Sequence, residues 1–63
     1  MIEYKIMQTV SSVSKRWPVE IYTGKIERLA FHEFDRLNKD FPNEYFELIQ
    51  IEHNETCLRF TKR

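Results

Sequence analysis

The chain has one glycine, Gly24, one cysteine, Cys57, and two prolines, Pro18 and Pro42, in 63 residues. Each scarcity excludes something. A single glycine cannot build the glycine-rich loop that wraps a phosphate in backbone N–H groups. A single cysteine forbids an internal disulfide and, with only His32 and His53 beside it, falls short of the four ligands of a structural zinc site. No apolar run approaches the roughly 18 residues of a membrane span, and the opening MIEYKIMQT lacks a signal-peptide core. Net charge is missing too. Ten Lys and Arg balance ten Asp and Glu, so no whole-molecule field draws nucleic acid. A small chain with an unpaired thiol is expected to be soluble and cytoplasmic.

What is present is apolar material: 41% of residues are hydrophobic and 14% aromatic, too much for a disordered tail. One stretch has a sustained helical period. Along Lys25–Phe41, KIERLAFHEFDRLNKDF, a spacing of about 100° per residue gathers Ile26, Ala30, Phe34, Leu37 and Phe41 into one stripe, with Leu29 and Phe31 at its margins. Such a stripe is built to be covered. Pro42 ends the helix, since its ring disfavours helical geometry at the residue before it. Thr23 is the candidate N-cap, and Gly24 suits a turn between strand and helix.

The flanks supply the cover. Residues 2–10 alternate, with Ile2, Tyr4, Ile6, Gln8 and Val10 against Glu3, Lys5, Met7 and Thr9, which is a half-buried strand pattern. Gln8 is the polar member of its face. Ser11–Arg16 reads as a loop, and Trp17-Pro18 opens a second strand in which Val19, Ile21 and Thr23 face away from Glu20 and Tyr22. Glu44–Glu52 is apolar on both sides, with Tyr45, Ile49 and Ile51 opposite Phe46 and Leu48. After His53-Asn54-Glu55, Thr56, Leu58 and Phe60 alternate with Cys57, Arg59 and Thr61. The order ββαββ predicts an α+β, two-layer single domain over 1–63: a four-stranded antiparallel sheet with one helix on one face. One helix covers one face only, which leaves Tyr22, Met7 and part of the third strand for a partner, or for cover by the stems of Lys5, Glu20 and Arg59.

Catalytic chemistry has little to stand on. His32 projects away from the apolar stripe, and His53 falls in a turn. Cys57 lacks a base held in position, and a chain this short has little room for a deep pocket. The reading is no enzyme, no cofactor and no metal. Two binding readings remain. Arg16, Trp17, Tyr22, Phe31 and Tyr45 are residue types that anchor protein interfaces, and an edge strand offers a homodimer contact. Alternatively Lys15, Arg16 and Trp17, joined by Arg59, Lys62 and Arg63 if the first and last strands are neighbours, form a small RNA- or DNA-binding patch.

The ending NEYFELIQIEHNETCLRF, strand-turn-strand after a charged amphipathic helix, resembles the small single-domain accessory proteins of bacteriophages and other mobile elements. The resemblance implies binding to a host protein as inhibitor or adaptor and carries over no catalytic residue. Protein binding is therefore the expected function.

Overall fold

The computed structural model describes residues 1–11 and 15–61. The chain forms β1 (Glu3–Ser11), β2 (Arg16–Gly24), α1 (Glu27–Asp40), β3 (Phe46–Ile51) and β4 (Glu55–Phe60). The strands make one antiparallel sheet in the order β2-β1-β3-β4, with α1 on one face, which is the expected α+β arrangement. Of the expected loop over 11–16, Ser11 and Arg16 belong to strands, and residues 12–14 lie outside the described residues.

The inner strands supply the sheet's share of the core. Tyr4 and Ile6 of β1 and Phe46 and Leu48 of β3 point at α1, where Ala30, Phe34 and Leu37 meet them. Each large side chain so buried contributes about 1.5–3 kcal/mol. Polar groups at the core's margin are matched. The Tyr4 hydroxyl donates to Glu27 at 3.0 Å, and the Gln8 amide donates to Glu44 at 2.9 Å, which resolves the one polar residue on that face of β1. Thr61 ties three segments together: its hydroxyl bonds Asn38 of α1, and it accepts the Phe46 N–H at 3.0 Å.

The helix boundaries divide. At its end the Phe41 N–H reaches the Leu37 carbonyl at 2.9 Å, and Phe41 leaves helical geometry ahead of Pro42, as its residue type requires. At its start, Thr23 is not the cap. It stays in β2, and the cap position falls to extended Ile26, which makes no side-chain cap bond. Glu27 in the first turn offers its charge to the helix dipole instead. Gly24 has no left-handed φ, so turn geometry does not require it. The Tyr22 ring does: a Cβ at Gly24 would lie 2.7 Å from the Tyr22 hydroxyl oxygen.

The outer strands depart from simple alternation. Ile6 pairs with Tyr22 and Met7 with Glu20, so Ile21 is an extra residue that reverses the facing of everything after it. Tyr22 consequently packs towards the helix-side core. Leu58 plays the same part in β4, between the pairs Ile49–Cys57 and Leu48–Arg59. Leu58 itself packs on the core, and Phe60, opposite Glu47, joins Cys57 on the open face. The sequence expectation that Leu58 and Phe60 share a face is corrected by this bulge.

Candidate functional site

The open face has two halves. Near Ile49 it is closed by the chain's own charge pair: the Lys5 ammonium lies 2.9 Å from Glu55, two strands away, and its stem runs over β3. Ile49, on the side away from α1, is only 9% exposed. Of the three residues expected to shield this face, Lys5 does so. Arg59 does not, because the β4 bulge turns it to the helix side, where its guanidinium stands 5.5 Å over the Phe31 ring.

The other half is a shallow depression around Thr9, Arg16, Tyr45, Glu47, Cys57 and Phe60. Each strand contributes to it. β1 continues past β3 to Thr9, whose N–H reaches the Tyr45 carbonyl at 3.2 Å, and this fixes Tyr45 at the mouth of β3. β2 brings Arg16 through its pairing with Ser11, and the bulge at Leu58 delivers Phe60. Tyr45 and Phe60 are both more than half exposed.

The residues expected to bind a partner therefore separate. Arg16 and Tyr45 meet at the depression. Tyr22 is half-buried on the helix side and is no part of the open face, because of the bulge at Ile21. Phe31 is half-buried beneath Arg59. Trp17 pairs with Val10, which by alternation places it on the helix side of the β2 edge. Phe60 and Glu47, in turn, escaped the sequence reading, since nothing in ETCLRF announces where a strand will bulge.

Of the residues of the nucleic-acid reading, Arg16 and Arg59 are not brought together. β1 and β4 are separated by β3, and Arg16 and Arg59 lie on opposite faces. Lys15 is exposed next to β2, and Lys62 and Arg63 lie outside the described residues. By register, the open face carries Glu3, Glu20, Glu47 and Glu55 against Lys5 and Arg16, an excess of carboxylate that repels phosphate.

The surroundings of the thiol at the depression favour its protonated form. Burial raises the Cys57 pKa, nearby Glu47 raises it further, and the contact of its Sγ with the Arg59 carbonyl at 3.3 Å opposes both only in part. A protonated thiol is a poor nucleophile and a poor metal ligand. Cys57, His32 and His53 are all exposed. Among the described residues no three His, Cys, Asp or Glu side chains are grouped to hold a metal ion, and no helix is long and apolar enough to cross a membrane.

No family model, curated protein or solved structure matches the chain.

Proposed function

We propose that this protein works by binding another protein through the Arg16–Tyr45–Phe60 end of its open sheet face. The observation that carries the reading is the gathering of an arginine and two largely exposed aromatic rings around one depression on the face that α1 leaves uncovered. Aromatic and arginine side chains are the commonest anchors of protein interfaces. The carboxylate excess on the same face favours a partner that presents cations beside its apolar groups.

Binding without catalysis accords with a shallow surface and a thiol kept protonated. The resemblance to mobile-element accessory proteins extends the reading to inhibition or adaptation of a host protein, in the cytoplasm, where one unpaired cysteine is at home. The test is affinity capture from host extract, identification of the retained protein, and titration of that purified protein with wild type and with the double variant Tyr45→Ala, Phe60→Ala. Affinity is expected to fall by about a hundredfold, the size of a two-anchor loss. Unchanged affinity in a folded double variant refutes the reading. Phosphate attraction would show itself differently, as a steep loss of binding with added salt.

A further inference from the structure

We infer that the seam between α1 and β2, on the side of the sheet away from the depression, is a docking surface for a second copy of this chain. The seam is where the helix fails to finish its cover. Trp17, Ile21, Ile26, Leu29 and Phe41 are each between 38% and 54% exposed. After Gly24 the chain turns back at Lys25-Ile26 and runs as α1 beside β2. Phe31 lies under Arg59 of β4, so Leu29, about 160° round the helix from it, stands on the opposite flank, towards β2, and Ile26 lies one turn before it; Ile21 shares a groove with Leu37 and Phe41 further along. Alternation along β2 sends Trp17 to the same side.

The amount of surface suits a copy. With full side-chain areas of about 150–250 Å² for the large residues, these five leave roughly 500 Å² of apolar surface open, at the upper range of the largest patch on an ordinary monomer. That is more than half of the about 800 Å² per partner of a standard interface, whose remainder is ordinarily a polar rim. A chain of 63 residues, with eight buried apolar side chains among the described residues, gains stability from covering it.

The charges and the strand edge narrow the occupant further. Arg36, two turns along α1 from Leu29, pairs with both Glu33 and Asp40, one guanidinium between two carboxylates, so this flank keeps a single excess negative charge and has no cation left over to draw an acidic visitor. Strand addition is hindered too, because Pro18 has no N–H to donate and the bulge at Ile21 bends the edge. The occupant must therefore offer a matching apolar surface, packed through side chains rather than by strand pairing. A second copy of this chain presents such a surface, in the same five exposed apolar side chains. A two-fold axis through the seam sets each copy's strip against the other's and leaves both depressions facing outward.

Sedimentation equilibrium from low micromolar to near-millimolar concentration tests this, with Trp17 emission read on the same samples. Trp17 is the only tryptophan, so its emission reports the seam directly. The wild type is expected to reach twice the monomer mass of 7.8 kDa as concentration rises, with a blue shift of emission in step. Leu29→Glu is expected to keep its circular dichroism and raise the dimer dissociation constant at least tenfold, while Glu47→Lys on the open face leaves it unchanged. Should Leu29→Glu lose helix, Ile26→Lys, just ahead of the helix, takes its place. A monomeric wild type throughout, a dimer broken by Glu47→Lys but not by the seam variants, or monomers that bind anionic lipid vesicles through the seam would each overturn the inference.

Discussion

In β1 and β3 side chains alternate without a break, so Tyr4, Ile6, Phe46 and Leu48 all reach the helix, whereas β2 and β4 each carry one additional residue that reverses the alternation part-way. The difference follows from position. An inner strand is laddered on both sides, and an inserted residue there would break two sets of hydrogen bonds; an outer strand sacrifices one. The outer strands can therefore choose which way their side chains point. β2 uses that freedom to bring Tyr22 inward, and β4 uses it to send Phe60 outward and Arg59 onto Phe31.

The sharpest way to break this comparison is truncation at matched positions. Leu48→Ala, at a fully buried inner site, is expected to cost about 2–5 kcal/mol, enough to unfold much of a domain this small. Leu58→Ala, at the bulge, is expected to cost about 1 kcal/mol, within the common range for partly buried sites. Urea titration of both variants decides it, and equal losses would mean that the outer strands are as tightly bound into the core as the inner ones.

A smaller effect is expected at Gly24. Its alanine variant pushes the new methyl group against the Tyr22 ring and should cost about 1 kcal/mol, and in a Tyr22→Ala background that cost should vanish. A double-mutant cycle followed by thermal melting measures the coupling. Persistence of the cost without the ring would point back to the backbone.

The smallest effect concerns pH. Burial, followed by the bond to Glu27, raises the Tyr4 pKa above its ordinary value of 10.0. A folded pKa above the unfolded one gives stability that is complete below pH 10 and is lost as pH climbs through the folded value. Wild type should therefore lose stability relative to Tyr4→Phe in denaturant melts from about pH 10 upward, and identical alkaline slopes would count against it.

This contrast also explains what was legible in the sequence. The element order, the stop at Pro42 and the inward sets of β1 and β3 follow from periodicity, because regular ladders transmit period two faithfully. The bulges at Ile21 and Leu58 have no such signature, since both strands still read as alternating. Alternation alone puts Tyr22 on the open face and Phe60 on the face of Leu58, and the bulges overturn both. Arg16 and Tyr45 sit at strand mouths, before any bulge intervenes, and both line the depression. The helix stripe was legible as a stripe, but how far a sheet only four strands wide covers it was not: Ile26, Leu29 and Phe41 keep about half their surface in water.

The strand order also sets the pace of folding. Each hairpin closes locally, yet the sheet exists only once β1 meets β3, joining Ile6 to Leu48 across the intervening hairpin and helix. Closing that long loop costs entropy before any core contact rewards it. Zipping of the two hairpins along their first strands is therefore the expected slow step: in stopped-flow refolding, variants at Ile6 and Leu48 should retard folding where variants at the rim hasten unfolding.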